Sequence, residues 1–535
     1  MTLQNWTSEL KETNRVYGKN IVVCCDGTGN EYGDRNSNVV KLYRVLVSEP
    51  GKQVSYYHPG VGTMGAKNAL SAAGKAWTKL RGLAFGYGLS ENIADAYQFL
   101  MHTYAPGDRV FIFGFSRGAY TARALCGMLQ MFGLLSSGNE GLIPYALRLF
   151  KSENAGFVFK MKQLFSVAPS KFRTAARFKA TFCKECKPYF LGLWDTVSSV
   201  GWILDPIGLK PGRLPYTFAL NDAAIIRHAV SVDERRAFFR QNLVEEDASR
   251  DIKQVWFPGV HSDVGGSYPE VESGLSKISL RWMLHEAVGA GLLLEVDMIT
   301  KILGGDLGYA RPSCSAHIHN SLTPAWWLGE FWPKWTKHRI SLPGQEPEKF
   351  RGWPRMNLFR RRTINEGARI HQSVLDRMAA DPKYNPGNLP ERQALESDPF
   401  AGQYPLHLLP GQEATVPVYA RLKWNDIGLQ VSKGEKYHIE TAGHWYDATI
   451  STGAEGYASP DLLFRSLQWL RRMPKANWFA LIGSIGKDKR ATFLIGKGVD
   501  FDVKVEGMLS CYANDLPFMY GNNSGYVRLI ITRTK

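Results

Sequence analysis

Residues 110–125 read VFIFGFSRGAYTARAL and hold three local patterns side by side. The run 110–113 is apolar and rich in β-branched and aromatic residues, which predicts a strand buried on both faces. Ala119 onward is rich in alanine and leucine, which predicts a helix. The intervening GFSRG is a G-x-S-x-G motif, whose glycines permit a strained turn that presents the Ser116 hydroxyl at the carboxyl end of the sheet. For this stretch alone, a glycine-rich turn with an incidental serine is the alternative.

Other periodic segments surround this strand-turn-helix unit. The apolar runs 20–26, 53–57, 189–194 and 253–260 predict further strands, and 90–104 predicts an amphipathic helix that leads into the strand before Ser116. Strands that alternate with helical stretches are typical of an α/β fold with a largely parallel, doubly wound sheet.

Three predicted strand ends carry residue types suited to nucleophilic catalysis. They are Ser116, Asp195 and His261, in the chain order that α/β-hydrolases use for nucleophile, orienting acid and general base. Because the carboxyl ends of parallel strands share one sheet edge, we expect the three side chains to lie together. Asp263 is an alternative orienting acid, and a His-x-Asp pair also suits a metal ion, although a third ligand is not evident.

An oxyanion hole should accompany these residues. The backbone N–H of Arg117, directly after the nucleophile, is the first predicted donor. The second is placed in the polar glycine turn after the first strand, at Gly27 and Thr28. Serine chemistry of this kind requires no cofactor.

The composition points to an anionic partner. The net charge is +16 with a pI near 9.4, and no nucleic-acid-binding motif accompanies it, which leaves an anionic membrane surface. Two basic segments, 157–187 and 326–362, are interleaved with aromatic residues, among them Trp326, Trp327 and Trp332. Tryptophan beside lysine and arginine suits a phospholipid membrane interface, whereas a buried tryptophan cluster with a basic rim is the alternative.

The 535 residues predict more than one domain. Proline and glycine concentrate in 381–413, which predicts a linker between an α/β domain over 1–380 and a second domain over 414–535. The first domain should carry lid-like insertions at about 140–187 and 321–362. Short alternating runs in the second predict an all-β sandwich.

Targeting features are few. The amino terminus lacks the basic-then-apolar order of a secretory signal, which predicts export by a route other than general secretion. No apolar run reaches the length of about 18 residues that a spanning helix needs. Seven cysteines, an odd number, argue against a disulfide framework.

Six motifs in order resemble those of the bacterial type VI secretion lipase effectors: CDGTGN at 25–30, GVGT at 60–63, GFSRGAY at 114–120, LWDTV at 193–197, DERR at 233–236 and FPGVHSDVGG at 257–266. The resemblance implies an α/β-hydrolase domain with Ser116, Asp195 and His261 as its triad. It also implies phospholipase activity against a competitor's membrane, delivery by a contact-dependent machine, and a secretion spike protein and an immunity protein as partners. His319 and His371 lie in further pieces that resemble family positions, so each is an alternative base.

The chain end resembles the bacterial calcium-dependent galactophilic lectin. Its 512–525 stretch packs one carboxylate and two amides into a glycine-bounded loop, whose oxygen donors suit Ca²⁺, although a hairpin turn alone explains 521–525. The resemblance implies side-chain ligands from Asp515, Asn522 and Asn523 and the backbone carbonyl of Met519, with a glycan as partner.

Together these features predict a serine-dependent, phospholipase A-type hydrolase acting on membrane glycerophospholipids as an antibacterial secretion effector. A carboxylesterase or thioesterase for soluble acyl substrates is one alternative. A glycan-binding protein with a vestigial hydrolase domain is another, although the intact Ser116, Asp195 and His261 argue against it.

Overall fold

The structure is a computed structural model that describes residues 18–27, 33–60, 89–152, 171–197, 220, 222–305, 309–331, 334–335, 354–381, 383–400, 407–458 and 468–535. The described residues form two compact units. The α/β unit contains those up to Leu303 and from His317 to Asp398. The C-terminal unit contains those in Gly304–Ala316 and Pro399–Lys535.

A parallel sheet of eight strands forms the centre of the α/β unit. The strands are β1 (Asn20–Cys25), β2 (Gln53–His58), β3 (Arg109–Phe115), β6 (Pro188–Trp194), β7 (Ile225–Ser231), β8 (Asp251–Phe257), β11 (Arg369–His371) and β12 (Ala394–Glu396), and the sheet order is β12-β11-β8-β7-β6-β3-β1-β2. Two short antiparallel pairs lie outside it: β4 (Leu134–Leu135) with β5 (Cys183–Lys184), and β9 (Lys334–Trp335) with β10 (Pro354–Arg355). The predicted α/β fold is confirmed.

The described helices of this unit are α1 (Asn38–Val45), α2 (Leu89–Thr103), α3 (Arg117–Phe132), α4 (Ile143–Ser152), α5 (Lys171–Phe182), α6 (His261–Gly265), α7 (Gly274–Gly289), α8 (Val296–Thr300), α9 (Pro324–Glu330) and α10 (Gln372–Ala380). None of the helices described is long and apolar enough to cross a membrane.

Burial explains why β3 and α3 form where the sequence predicts them. Strand β3 pairs with β1 on one side and β6 on the other, and six of its seven residues are buried. Helix α3 is buried along almost its whole length, from Gly118 to Phe132. Its small residues let the helix pack close to the sheet. The turn between β3 and α3 is therefore fixed by a buried strand before it and a buried helix after it.

The predicted lid-like insertion at about 140–187 contributes some of its described side chains to the core. Ile143 and Phe150 of α4, and Phe178 of α5, are buried in the same apolar cluster as α3. Residues 153–170 of this insertion lie outside the described residues, as do parts of the predicted insertion at 321–362.

The predicted linker over 381–413 is wrong for its middle portion. Strand β12 lies inside that range and pairs in parallel with β11, so the α/β unit continues to Asp398. The sequence pattern does not predict β7, because Arg227 and His228 interrupt its apolar run. Both β11 and β12 are only three residues long, too short for a periodic pattern to stand out.

The C-terminal unit contains two antiparallel sheets. One holds β13 (Glu413–Tyr419), β15 (Lys436–Asp447), β16 (Ile450–Thr452), β19 (Gly498–Asp502) and β21 (Asn523–Arg533). The other holds β14 (Asn425–Val431), β17 (Leu481–Ile485), β18 (Thr492–Leu494) and β20 (Gly507–Ala513). Apolar side chains from both sheets, such as Ile439 and Leu509, share one core, as the predicted sandwich requires.

Candidate active site

Ser116 lies on a strained turn between β3 and α3. Its φ of 58° and ψ of −118° belong to a region that non-glycine residues rarely adopt. Crowding by the backbone explains the two flanking glycines. A Cβ on Gly114 would lie 2.5 Å from the Gly118 carbonyl oxygen, and one on Gly118 would lie 2.2 Å from the Cys25 carbonyl oxygen. The turn can therefore form only where both side chains are absent.

The sheet brings Ser116, His261 and Asp195 together. Ser116 Oγ lies 2.8 Å from His261 Nε2, and His261 Nδ1 lies 2.5 Å from Asp195 Oδ2. Each residue comes from a different strand end: Ser116 follows β3, Asp195 follows β6, and His261 begins α6 just after β8. All three are buried, with Asp195 0% exposed. With Nδ1 donating to Asp195, Nε2 accepts the Ser116 hydroxyl proton.

Asp195 is held by more than the histidine. The backbone N–H of Ser231 donates to Oδ1 at 3.0 Å, and the Arg362 guanidinium donates to both carboxylate oxygens, at 2.5 and 3.0 Å. Burial on its own would raise the pKa of Asp195, but Arg362 and His261 outweigh it and hold that pKa well below its usual range. The aspartate is therefore held in its ionised form at neutral pH.

The imidazole of His261 is enclosed by rings and by a second carboxylate. Phe115 stacks on it with ring centroids 4.8 Å apart, and Phe239 meets it edge-on at 4.9 Å. Glu234 accepts the His261 backbone N–H at 3.1 Å and is itself paired with Arg236 at 2.9 Å. Burial lowers the pKa of His261 below its ordinary value, although Asp195 acts in the opposite direction. The ring is thus kept neutral, as a base must be.

The alternative residues from the sequence lie elsewhere. Asp263 does not bind His261; instead its Oδ1 lies 2.6 Å from His319 Nδ1, and Glu272 lies 2.9 Å from the other nitrogen of the same ring. Burial lowers the pKa of His319, but these two carboxylates raise it to about 9. His371 contacts Ser373, and burial lowers its pKa to about 4. The structure therefore pairs Ser116 with His261 alone among the histidines proposed.

The predicted oxyanion donors have different surroundings. Arg117 is the first residue of α3, directly after Ser116. The Gly27 N–H donates to the Asp26 carboxylate at 2.6 Å, so in this structure it already has an acceptor. Thr28 lies outside the described residues.

The arginine run predicted to face a membrane divides into two kinds of residue. Arg360 and Arg361 are exposed, but Arg362 is buried against Asp195. The membrane interpretation is therefore wrong for Arg362. Arg361 Nη1 lies 3.1 Å from Asp233 Oδ1, and the two side chains form a partly exposed ion pair.

An exposed apolar surface lies beside this run. We define the apolar patch as Trp327, Phe331, Met356 and Leu358, whose exposed fractions range from 44% to 51%. Phe359 joins its members, with ring centroids 6.1 Å from Trp327 and 5.6 Å from Phe331.

Buried Glu330 connects the two chain segments of the patch, 327–331 and 356–359, by hydrogen bonds. Its carboxylate accepts the backbone N–H of Ala237 at 2.6 Å and that of Phe359 at 3.1 Å. Trp326 is half-buried against Phe239, the ring that meets His261, at 5.4 Å. Trp326, the residue before Trp327 of the patch, is thus two ring contacts from the imidazole. Trp332 lies outside the described residues.

The predicted calcium ligands form a polar cluster in the C-terminal unit. Asp515 Oδ2 accepts from Asn523 Nδ2 at 3.0 Å, and the Asn522 amide donates to Asp447 Oδ1 at 3.0 Å. The Met519 carbonyl accepts the Asn522 N–H at 3.4 Å. Asn523 is 3% exposed, and its Oδ1 has no hydrogen-bond partner within the described part of the chain.

The charge of this cluster fits a cation. Burial and then the nearby Asp447 raise the pKa of Asp515. Two carboxylates, two amide oxygens and a carbonyl are the hard oxygen donors that Ca²⁺ prefers. Within the described residues, no group of three or more His, Cys, Asp and Glu side chains is arranged around a metal position. The sequence does not predict Asp447 as part of this cluster, because it is far from residues 515–523 in the chain. It reaches the cluster at the end of β15.

A parallel sheet with a serine on a strained strand-to-helix turn, and a histidine and an aspartate at neighbouring strand ends, defines an α/β-hydrolase. The model of the type VI secretion system phospholipase effector Tle1-like catalytic domain matches residues 19–286. The chain belongs to this family.

Similar proteins are known in yeast and bacteria. An uncharacterized protein of Saccharomyces cerevisiae, YEL023C, is 36% identical over 236 residues, which are 42% of this chain and 32% of that protein. The chain thus spans about a third of the length of this curated relative.

Three solved structures also resemble parts of the chain. An uncharacterized protein from Pseudomonas aeruginosa is 20% identical, over 56% of this chain and 49% of its own, with a TM-score of 0.30. The Tle1 effector bound to the VgrG spike of the type 6 secretion system is 19% identical, over 49% and 53%, with a TM-score of 0.26. The EclA N-terminal domain, a PllA-like lectin, is 17% identical, over 22% and 94%, with a TM-score of 0.18.

Proposed function

We propose that this protein is a serine-dependent phospholipase that hydrolyses acyl esters of membrane glycerophospholipids. The observation that carries the proposal is the continuous chain of contacts from Ser116 through His261 to Asp195, at 2.8 and 2.5 Å. The family, whose members are described as phospholipase effectors, supports the lipid as substrate.

The geometry suits acyl transfer in two halves. Ser116 Oγ attacks the ester carbonyl carbon while His261 Nε2 takes its proton, and a C–O bond to the serine forms. When the tetrahedral intermediate collapses, the bond to the leaving alcohol breaks and His261 returns the proton to that oxygen. Water then repeats the sequence on the acyl-serine and releases the fatty acid. Asp195 fixes the imidazole tautomer and stabilises the imidazolium in both halves.

Charge on the carbonyl oxygen needs donors that are in place before the reaction. The Arg117 N–H, at the positive end of the 16-residue α3, is the first donor we propose. We place the second in the turn that contains Thr28. Gly27 could serve only if its N–H left the Asp26 carboxylate.

We propose that the apolar patch binds the membrane surface from which the enzyme takes its substrate. Exposed Arg235 and Arg360 flank it, and Arg235 donates to the Phe359 carbonyl at 3.0 Å. Aromatic side chains at the headgroup level beside cations that meet phosphates are typical of an interfacial surface. Trp326, the residue before Trp327, contacts Phe239, which contacts His261, so a lipid bound at the patch would lie on the same side of the unit as the triad.

The family also supports a route of delivery. We propose that the protein is an antibacterial toxin, carried by the contact-dependent type VI machinery, and that it acts at the membrane of the target cell. A secretion spike protein and a cognate immunity protein are the partners this proposal requires.

For the C-terminal unit we propose a calcium site that uses Asp515, Asn522, Asn523 and the Met519 carbonyl, with Asp447 as an additional ligand. The ion would neutralise two facing carboxylates and hold the loop of 515–523 against β15. A glycan is the partner that the lectin-like sandwich suggests for this surface.

The decisive experiment measures fatty-acid release from vesicles of defined phosphatidylglycerol and phosphatidylcholine, beside hydrolysis of a short soluble ester. We expect release from vesicles, stronger with the anionic lipid and weakened by salt, because screened charges contribute to binding. Turnover of the soluble ester without any release from vesicles would contradict the phospholipase proposal and favour an esterase.

A matched pair of variants tests the apolar patch. W327A/F331A should lower vesicle hydrolysis at least about tenfold and leave the soluble ester unchanged, because each exposed aromatic contributes on the order of 1–3 kcal/mol on burial in the interface. The control is Y43A/L395A, which removes two side chains of 37% and 49% exposure outside the patch. Equal losses by both variants on vesicles would contradict a specific role for the patch.

A further inference from the structure

Arg362 differs from its neighbours in the arginine run because its guanidinium is buried. The residue is 6% exposed, and its two terminal nitrogens face the two oxygens of Asp195. This is the parallel, two-bond geometry in which arginine recognises a carboxylate most strongly. Arg362 and Asp195 are 167 residues apart in the chain.

Other groups hold the guanidinium before any substrate arrives. Its Nη1 donates to Ser231 Oγ at 2.7 Å, and its Nε donates to the Phe239 carbonyl at 3.0 Å. The Arg362 carbonyl accepts from Asn388 at 2.9 Å. The backbone and the fork of the side chain are therefore both fixed, and the fork fixes the plane of the Asp195 carboxylate.

We propose that Arg362 is a positioning residue for the triad, which holds the Asp195 carboxylate toward His261 and offsets part of its negative charge. The inference rests on the proposed serine hydrolysis and adds a fourth member to its machinery. Two effects should follow. The fork restrains the carboxylate that orients the imidazole, and the positive charge weakens the hold of Asp195 on the imidazolium proton.

The charges that face His261 come from several elements. Asp195 follows β6, Glu234 and Arg236 follow β7, and Asp263 lies on α6 itself, where His319 engages it. The Arg362 guanidinium is in direct contact with the Asp195 carboxylate. Without it, Asp195 would act on the imidazole unopposed, the imidazolium would be more stable, and the base would remain protonated to a higher pH.

Three variants separate charge from geometry. R362Q removes both charge and fork, whereas R362K keeps the charge and loses the fork. R227Q is the matched control, because Arg227 is also 6% exposed on β7 and binds both oxygens of Asp251, at 2.7 and 3.1 Å, away from the triad. The readouts are kcat and KM against pH on a soluble ester, and the titration of His261 by histidine-ring NMR in the full chain.

In R362Q we expect the acid limb of kcat/KM and the His261 titration to move up by about one pH unit, with little change in KM. In R362K we expect both titrations to stay near those of the wild type while kcat falls at least tenfold. R227Q should leave the titrations and kcat unchanged, even where it lowers the melting temperature.

Contrary results are easy to recognise. An unmoved His261 titration in folded R362Q would overturn the inference, and so would a wild-type kcat in R362K. If R362Q does not fold, R362K decides alone by its kcat. A wild-type protein that hydrolyses no ester would refute the proposed function instead, while the NMR titration would still test the effect of Arg362 on His261.

Discussion

Asp195 and Asp515 are both buried aspartates at predicted sites, but their surroundings differ in charge. Asp195 has a guanidinium and an imidazole as partners, and its pKa lies well below the usual range. Asp515 is bound by an amide and a backbone N–H, it lies near Asp447, and its pKa is raised. The first carboxylate is stabilised by the protein itself. The second has only neutral donors and a neighbour of its own charge, so a bound cation would stabilise it.

Because their surrounding charges differ, the two sites differ in what they need in order to function. The site of Ser116, His261 and Asp195 is preorganised, because the proposed base, the proposed orienting acid and their counter-charges are already in contact. The C-terminal cluster has an unpartnered buried oxygen on Asn523 and an excess of negative charge. Substitution should therefore abolish chemistry in the first region, and metal removal should lower stability in the second.

The largest expected effect is the loss of turnover in S116A. We expect kcat to fall at least about 10⁴-fold while the melting temperature stays within a degree or two, because the hydroxyl is the nucleophile and contributes little to packing. The measurement is ester hydrolysis beside a thermal melt. S373A, which alters a buried serine next to His371, serves as the control and should keep wild-type turnover. Turnover in folded S116A would remove Ser116 from the mechanism.

The histidines should rank next. We expect H261Q to lose at least about 10³-fold in kcat, because it removes both the base and the acid of the reaction. H319Q and H371Q should retain most activity, since neither ring contacts Ser116. Assays of the three purified variants check this, and an inactive, folded H371Q beside an active H261Q would reverse the assignment of the base.

The pH profile provides a third comparison. Burial lowers the pKa of His261 from its ordinary value of 6.5, and the base works only when neutral. The acid limb of kcat/KM should therefore have its midpoint below 6.5, and activity should fall as the pH drops through it. A midpoint clearly above that value would show that the net effect of Asp195 and its neighbours exceeds that of burial.

Calcium should affect the C-terminal unit alone. At a concentration about 100 times its dissociation constant, the ion would stabilise that unit by roughly 2.7 kcal/mol, because it binds only the folded state. Calorimetry of the full chain in EDTA and in millimolar calcium should show one transition shifting by several degrees, with ester hydrolysis unchanged.

Substitution sharpens this calcium test. D515N and D447N should each reduce the calcium-dependent shift, whereas D500N, a control at an exposed residue of β19, should not. An identical melt with and without calcium in the wild type would leave a hairpin turn as the explanation of the loop.

The smallest effect concerns His319. Its pKa in the folded protein is about 9, above the ordinary 6.5, because Asp263 and Glu272 favour the charged ring. The stability from this contact is fully present below pH 6.5 and is lost as the pH rises through about 9. The melting temperature should therefore decline across that interval, and H319Q should show a flatter dependence.

The sequence by itself determined the strand-turn-helix around Ser116 and the family of the chain. These follow from local patterns: an apolar run, two glycines where backbone crowding excludes a side chain, and a helix of small residues. It also placed Asp195 and His261 at the same edge as Ser116, because parallel strands align their carboxyl ends.

Only the tertiary structure decided which charges meet. Arg360, Arg361 and Arg362 are three identical residues in a row, but the first two are exposed and the third is the buried partner of Asp195. No periodic pattern in the sequence distinguishes them. The assignment of Asp263 to His319 and the approach of Asp447 to Asp515 likewise depend on long-range packing. An ion pair forms where the folded chain brings opposite charges into a site that excludes water, and the spacing of residues along the chain does not encode that encounter.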